Sequence, residues 1–390
     1  MSKSSKIASG AGALMVAVLG AGFVQGLVPG GIVPANIINI ERAYHLSHTQ
    51  AGNMVFWATA SGGIIGGLFG GWLCGAIGGI RALLIAVAMG TISLCTIGLV
   101  PFQLATSAGL AGFFLSKSTM NAANALATKM IPDRQRGVSL LHSTNALGKL
   151  VGSSLGFIFV YTLWRNSFLV AGLLTLAVAI PTLMSRDHIH ASTGLKQPGG
   201  SRPGLYFWLA ILGFGFISGS ELAAAMWIPS YGESVLGFPE RKAKILLTFF
   251  ILGIVAGRFG AAWLSKRISS KGAILLCGLS AFFVVPALHF PGFIPTAGFL
   301  FLFGLTFSAA WPSYFAHLSR VFPENLGMLA GASALATWIG VALCSKVSGW
   351  LADIDLRYGI LFGAAVAVSF VILFFASPLS REPRKVEQAA

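Results

Sequence analysis

Two stretches of the chain repeat each other and decide how it folds. Residues 66–84 read GGLFGGWLCGAIGGIRALL, and residues 257–275, which start 191 positions later, read GRFGAAWLSKRISSKGAIL. The two stretches share Gly, Trp, Leu, Ile, Ala and Leu at the same spacing. Parallel repeats related by an axis along the membrane normal are typical of one large class of secondary transporters. The repeat therefore predicts two similar halves, with this segment at the end of the second span of each.

The composition around the repeat is that of a polytopic membrane protein. Of the 390 residues, 55% are hydrophobic and 9% are charged, far below the roughly 25% charged residues of soluble domains. At about 20 apolar residues per crossing, the chain has room for about twelve spans and no sizeable soluble domain. We predict an all-α membrane protein with spans at 8–34, 51–73, 82–100, 107–129, 138–162, 167–184, 205–229, 243–264, 273–290, 297–316, 329–350 and 359–376.

One long polar stretch divides the spans into two bundles of six. Residues 185–203, SRDHIHASTGLKQPGGSRP, have the His, Pro and Gly content of a flexible connection. The predicted organisation is an N-terminal six-helix bundle over 1–184, a cytoplasmic linker over 185–204, a C-terminal six-helix bundle over 205–380 and a cytoplasmic tail over 381–390.

The distribution of basic residues predicts the orientation. Sixteen Lys and Arg side chains fall on the side of the termini and linker, and six fall on the other side. This bias places both termini in the cytoplasm, across a bacterial-type inner membrane. The net charge of +15 is scattered between apolar runs, so it indicates topology and not a nucleic-acid partner. Because no small-residue cleavage site follows Met1 to Lys6, we expect an uncleaved first span.

Several kinds of chemistry have no motif in the sequence. There is no GxxxxGK[ST], HExxH or CxxC, which argues against ATP-driven transport and against an embedded metalloenzyme. The four cysteines lack metal or disulfide spacing. We predict a protein that is not an enzyme and that uses no metal and no cofactor.

Charged residues inside the spans are the first candidates for a site, because a charge at the bilayer centre is costly and usually faces a pathway. Lys117, Asn121, Asn124 and Thr128 lie at i, i+4, i+7 and i+11 of the fourth span, on one helical face. This face is predicted to line a cavity. The alternative is that the two asparagines only hydrogen-bond neighbouring helices.

The fifth span carries a similar face, with His142, Asn145 and Lys149 at i, i+3 and i+7. Because no acidic residue lies in the first six predicted spans, Lys117 and Lys149 predict an electropositive pocket. A carboxylate or phosphate would neutralise it. The alternative is that one or both lysines are neutral when the pocket is empty.

Glu221 is the one acidic residue inside a predicted span, so we expect it to carry the coupling proton. A partly dehydrated carboxyl can load and release a proton near neutral pH. The alternative is an ion pair with Lys149 or Lys346. His142 is a second candidate for proton coupling, or else a satisfied histidine near the span end.

The remaining candidates divide between substrate contacts and gates. Gln25, Asn36 and Trp311 are expected to contact the substrate, with Trp311 alternatively an interfacial anchor. Arg258 and Lys346 sit near span ends and are expected to be gate residues or to have a structural role.

The loop Gly71–Arg81, GWLCGAIGGIR, resembles the loop between spans 2 and 3 of the major facilitator superfamily, of form GxLaDrxGrr. Gly75 stands where that family usually has Asp, whereas 349–353, GWLAD, keeps the acidic position. The resemblance covers essentially the whole chain. It implies a central site between two six-helix bundles, gate roles for Arg81 and Asp353, and a protein that works as a monomer.

Three short segments resemble the fucose-permease-like sugar:proton symporter branch of that family. They are Gly219–Glu221 with Trp227, Gly257–Arg258 and Leu141–His142. The branch is expected to carry acidic residues in spans 1 and 4, and this chain has Asn36, Asn39 and Lys117 there.

The charge inventory favours a proton-coupled secondary transporter of a small organic anion, a carboxylate or a phosphorylated compound, that resides in the lipid bilayer. The alternatives are a proton-coupled symporter of a neutral sugar or polyol, an exporter of drugs or of a carboxylate metallophore, and a membrane scaffold or receptor that does not transport.

Overall fold

The computed structural model describes residues 3–120, 134–185, 204–264 and 267–380, which form helices joined by short turns and contain no strand. The helices of the first half are α1 Lys3–Leu27, α2 Val33–Tyr44, α3 His48–Ala58, α4 Ile65–Ile77, α5 Gly79–Leu99, α6 Gln103–Thr119, α7 Arg134–Ile158, α8 Arg165–Ala177 and α9 Ala179–Met184. Those of the second half are α10 Leu205–Ser234, α11 Glu240–Leu264, α12 Ser270–His289, α13 Phe293–Phe307, α14 Ala310–Val321, α15 Leu326–Ile354 and α16 Leu356–Ala376.

Several of these helices join end to end into longer runs that match the predicted spans. A π-helical turn, Val28–Ile32, joins α1 to α2, and another, Thr59–Ile64, joins α3 to α4. Within the described ranges, nine runs are long and apolar enough to cross a membrane. The runs α3–α4, α6 and α7 occupy the predicted spans 2, 4 and 5. The prediction of an all-α membrane protein with twelve spans in two six-helix bundles is confirmed, and the domain boundaries stay a prediction.

Three acidic residues that hydropathy assigns to loops lie in helices. Glu41 is buried in the last turn of α2, Glu240 is the first residue of α11, and Asp353 lies in the last turn of α15. The predicted spans fell short of these residues because polar side chains lower the hydropathy. Glu240 and Asp353 pair with residues of the first half, and Glu41 pairs with His48 within its own half.

Local sequence explains two of the turns. Gly78 in the repeated stretch has φ +86° and separates α4 from α5, a backbone conformation that glycine adopts without steric cost. Ser47 starts α3 with a capping box: its hydroxyl accepts from the Gln50 backbone N–H, and the Gln50 side chain accepts from the Ser47 N–H. The capping box provides hydrogen-bond partners for backbone N–H groups at the start of α3. Gly78 permits the sharp turn between α4 and α5.

Glycines let the helices of each bundle cross closely. Gly148 and Gly152 of α7 lie against the backbone of α1, and a Cβ on either would collide with a carbonyl oxygen of Phe23 or Leu27. In the second half, Gly215 of α10 and Gly340 of α15 meet backbone to backbone. Such small-residue contacts are the usual means of packing helices in a membrane. They set the distance between the helices that carry the charged centre.

Adding one methyl group at the α1–α7 crossing should destabilise the protein. For Gly152→Ala we expect a loss of about 1–3 kcal/mol, the usual cost of overpacking, seen as a lower melting temperature in detergent. Gly298→Ala in α13 is the control, because nothing lies within 4 Å of its added Cβ. Equal melting temperatures for the two variants would contradict the close crossing.

Candidate functional site

A charged centre lies where the two bundles meet. Glu221 of α10 accepts a hydrogen bond from Lys149 Nζ of α7, and its other carboxylate oxygen lies 3.5 Å from Arg258 Nη2 of α11. The three side chains are between 9% and 16% exposed. One carboxylate thus bridges a cation of the first half and a cation of the second. Of the two partners suggested by sequence for Glu221, the structure brings Lys149 to it.

The break in the first span makes room for Lys149. A Cβ built on Gly30, within the π-helical turn, would come 2.7 Å from the Lys149 Cγ and Cδ atoms. Glycine at this position therefore lets the lysine stem pass beside the helix. Pro29 lies in the same turn, where a missing backbone N–H is tolerated because the turn is already irregular.

An aromatic group adjoins the charged centre through Arg258 and His142. Arg258 Nη1 donates to the His142 backbone oxygen at 3.2 Å, which again ties α11 to α7. The His142 ring lies 4.3 Å from the Trp311 ring, centroid to centroid. Trp311 stacks in turn on Phe315. The structure therefore places His142 and Trp311 together beside the centre.

Lys117 stands at the edge of the same centre with an aromatic partner. Its Nζ lies 4.5 Å from the centroid of the Trp338 ring of α15, within the range of a cation–π interaction. Lys149 and Glu221 are close enough for their charges to act on Lys117. Within the described ranges, the centre thus combines three basic groups, Lys117, Lys149 and Arg258, with one carboxylate.

Other predicted substrate contacts lie in different surroundings. Gln25 is buried, and its Nε2 donor has no hydrogen-bond partner among the described residues, so a bound acceptor could satisfy it. Asn145 is half-buried, with its backbone oxygen against Gly26. Asn121 and Asn124 lie outside the described residues.

The predicted gate residues are dispersed. Arg81 is exposed in the first turn of α5. Lys346 is exposed on α15, with its Nζ 5.3 Å from the centroid of the Phe56 ring of α3. Asp353 belongs to a second polar network, at the side of the bundles that holds the Tyr44–Ser47 turn. We call this side the latch side.

The second network ties the bundles together around Glu240. Its Oε1 accepts hydrogen bonds from Asn39 Nδ2 at 2.9 Å and from the Tyr161 N–H at 3.0 Å, and it lies 2.9 Å from Lys244 Nζ. Lys244 also donates to Asn36 Oδ1 at 3.0 Å. Both charged side chains are almost completely buried. Asn36, predicted to contact substrate, is here occupied by contacts that close the latch side.

Further contacts extend this network, which we call the latch, toward the surface of the latch side. Asp353 accepts from the Ser47 hydroxyl and from the backbone N–H groups of His48 and Thr49. Arg42 lies 2.7 Å from Glu233. Sequence reasoning missed Glu240, Lys244 and His48 as site residues. The i,i+4 spacing of Glu240 and Lys244 is a signal that could have found the buried pair.

His48 links the two halves in a pH-dependent way. Its Nδ1 lies 2.7 Å from Glu41 Oε1, and its ring packs edge-on against Trp227 of α10. Burial lowers the pKa of His48, but the hydrogen bond and charge of Glu41 and the charge of Asp353 outweigh burial, so its pKa lies above the ordinary value.

Two sets of helices that meet at a charged centre, and that are closed on one side by a separate polar network, have an arrangement typical of membrane transporters. The family model described as the Major Facilitator Superfamily matches residues 14–343, and the chain belongs to this family. It is a multi-pass membrane transporter of a small molecule and not an enzyme, as its sequence predicts.

Known proteins similar to this chain include two sequence relatives. The cis,cis-muconate transport protein of Acinetobacter baylyi is 27% identical over 371 residues, covering 86% of this chain and 84% of that protein. A Pseudomonas aeruginosa protein named transcription regulatory protein OpdE is 26% identical over 275 residues, covering 66% of this chain and 65% of that protein.

A solved structure confirms the fold. The xylose transporter XylE from E. coli, in an inward open conformation, superposes with a TM-score of 0.71 at 14% identity, over 96% of this chain and 97% of that chain. At this identity the similarity concerns the fold alone.

Removing the buried lysine of the latch should be costly. Lys244→Met leaves Glu240 buried without its closest cation, so we expect a loss of about 3 kcal/mol and a clear fall in melting temperature. The matched control is Lys242→Met, two residues away and exposed, for which we expect a change within about 0.5 kcal/mol. A stable Lys244→Met protein would contradict the role of the pair.

The stability of the latch should fall as the pH rises. Because the folded protein raises the pKa of His48, its stabilising contribution is complete below the unfolded pKa and is lost as the pH rises through the folded value. Melting temperatures at about pH 5.5 and about pH 8 should differ in the wild type by an amount that His48→Gln reduces. His45→Asn is the control, because His45 is exposed and in a left-handed conformation that Asn tolerates. An unchanged pH dependence in His48→Gln would show that His48 does not act in this way.

Proposed function

We propose that the chain is a proton-coupled symporter of a small organic anion that works by alternating access. The observation that carries this proposal is the charge of the centre: among the described residues, Lys149 and Arg258 contact a single carboxylate, Glu221, and Lys117 adds a third cation at its edge. An excess of cations in a water-poor site is stabilised by an anion from outside. The similarity to a muconate transport protein supports a carboxylate as that anion.

The anion would be held from both bundles. Lys149 belongs to the first half and Arg258 to the second, so a carboxylate between them contacts both. Arg binds a carboxylate through paired donors, and Lys binds it as a point charge. Gln25 supplies an unpaired donor, and Asn145, Asn121 and Asn124 are further proposed contacts.

Glu221 would couple the anion to a proton. In the structure its carboxylate occupies the two cations that a substrate needs. A substrate carboxylate that takes its place leaves Glu221 without ion-pair partners, and a carboxyl in that situation favours its protonated form. Binding of the anion and uptake of a proton at Glu221 would therefore support each other. His142, beside Trp311, is the second proposed proton carrier.

We also propose an orientation in the membrane. The bias of basic residues supports a latch side in the periplasm and both termini in the cytoplasm of a bacterial inner membrane. Opening of the latch side would then require Glu240, Lys244 and Asp353 to leave their partners. Arg258, Arg81 and Lys346, which lie outside the latch, are further proposed gate residues. We propose that one chain is sufficient for transport.

Uptake into proteoliposomes tests the proton step. With an outside-acidic pH gradient and labelled cis,cis-muconate as the probe, we expect the wild type to accumulate the acid. Glu221→Gln should abolish accumulation, because the proton carrier is gone, and should retain exchange of labelled for unlabelled acid without a gradient. Accumulation by Glu221→Gln would exclude Glu221 as the carrier.

Charge removal at the lysines tests the substrate class in the same assay. Lys149→Met and Lys117→Met should each reduce uptake of the acid by about tenfold or more, the loss expected for a charged hydrogen-bond donor. Lys242→Met, at an exposed position, is the control. The proposal of an anionic substrate is wrong if the wild type transports no acid and both site variants transport an uncharged sugar as well as the wild type does.

A further inference from the structure

We propose that the substrate is a planar, unsaturated dicarboxylate, with one carboxylate held by Lys149 and Arg258, the other by Lys117, and its carbon skeleton against the ring of Trp338. This inference rests on the proposed function and adds the number of charges, the shape of the anion and a residue that selects it. Neither sequence patterns nor hydropathy indicates Trp338.

The charge balance of the centre indicates two carboxylates. Within the described ranges, two basic side chains contact one acidic side chain there, and Lys117 adds a third basic group over the Trp338 ring. With all four groups ionised, the empty centre holds an excess of two positive charges, and the excess is three once Glu221 is protonated as the proposed function requires. Buried charges need partners, and an anion with two carboxylates leaves one fewer of them unpaired than an anion with one carboxylate.

The second carboxylate has a separate place to bind. Lys149 and Arg258 both contact Glu221, whereas Lys117 lies on α6 with its Nζ over the Trp338 ring. A ring face attracts a cation less strongly than a carboxylate does when both are removed from water. Lys117 can therefore exchange the ring for a carboxylate, and an anion with one charge would leave this position unfilled.

Trp338 is held rigidly in place. It projects from α15 of the second half against the π-helical turn Thr59–Ile64 of the first half. There, a Cβ on Gly63 would come 2.7 Å from the Trp338 Cδ2 atom. Phe114 packs edge-on against it, with ring centroids 5.3 Å apart, and Trp338 is 3% exposed. The ring is thus a fixed flat wall, and Lys117 lies over its face.

A carboxylate that draws Lys117 away from the ring uncovers that face next to the bound anion. A conjugated carbon chain is flat and already rigid, so it packs on the ring with little loss of conformational entropy. A saturated chain of the same length must lose rotational freedom to do the same. The ring should therefore favour unsaturated over saturated dicarboxylates.

Three six-carbon acids separate these contributions in titration calorimetry of the purified full chain. They are cis,cis-muconate, with two carboxylates and a conjugated diene, adipate, with two carboxylates and a saturated chain, and sorbate, with one carboxylate and a conjugated diene. We expect muconate to bind about three- to tenfold more tightly than adipate, the size of one aromatic contact. We expect it to bind about tenfold or more tightly than sorbate, from the second charged contact.

Variants assign each preference to a residue. Trp338→Leu should bring the affinity for muconate down to that for adipate, whereas Trp350→Leu, exposed on the same helix, should keep the difference. Lys117→Met should lower the affinity for muconate to that for sorbate, and Lys242→Met should leave the affinity for muconate unchanged. Trp338→Phe, which keeps a ring at the position, should retain part of the preference and serves if the leucine variant does not fold.

The outcomes separate this inference from the proposed function. If the wild type binds adipate or sorbate as tightly as muconate, or if both Trp338 variants keep the full preference, the inference is wrong while an anion transporter remains. If none of the three acids binds and an uncharged sugar does, the proposed function fails with it.

Discussion

The structure depends on one shared carboxylate. Glu221 lies between Lys149 of the first bundle and Arg258 of the second, and removing one partner from a buried ion pair costs several kcal/mol. The two halves are therefore held at the centre by a contact that is expensive to break and inexpensive to exchange for an equivalent one. The glycine crossings of α1 with α7 and of α10 with α15 serve this contact, because they fix the helices on which two of its members stand.

The two polar networks between the bundles differ in their charge balance. In the latch, Arg42 pairs with Glu233 and Lys244 with Glu240, and the carboxylates of Asp353 and Glu41 also have partners within the protein. Each of these two cations thus has its own carboxylate, without a ligand. At the centre, cations outnumber the carboxylate among the described residues. A transporter needs both kinds of contact: a barrier that closes unaided and a site that is stabilised only when something binds.

Much of this arrangement can be predicted from the sequence, and what was missed has a common cause. Lys149, Glu221 and Arg258 stand out because charges are rare in apolar runs, and the spans follow from hydropathy. The sequence does not predict that Glu221 pairs with Lys149 and not with Lys346, because the choice of partner depends on how the bundles face each other.

The latch residues were missed because hydropathy places them at span ends. Glu240 and Lys244 look like ordinary charges of a loop, and they are buried only because Asn36 and Asn39 of the other half approach them. Trp338 looks like any aromatic residue of a span. Only its surroundings set it apart: Gly63 of the π-helical turn Thr59–Ile64 lies against the ring, and Lys117 lies over the ring face.

The π-helical turn Val28–Ile32 makes the backbone path of the first span as important as its composition. Such a turn accommodates one residue more than an α-helical turn, so a change of this turn to regular α-helix with all its residues kept would rotate all that follows by about 100°. Asn36, Asn39 and Arg42 would then turn away from the second bundle. The irregular turn, invisible to a hydropathy profile, therefore sets the direction in which the closing residues of the first span point.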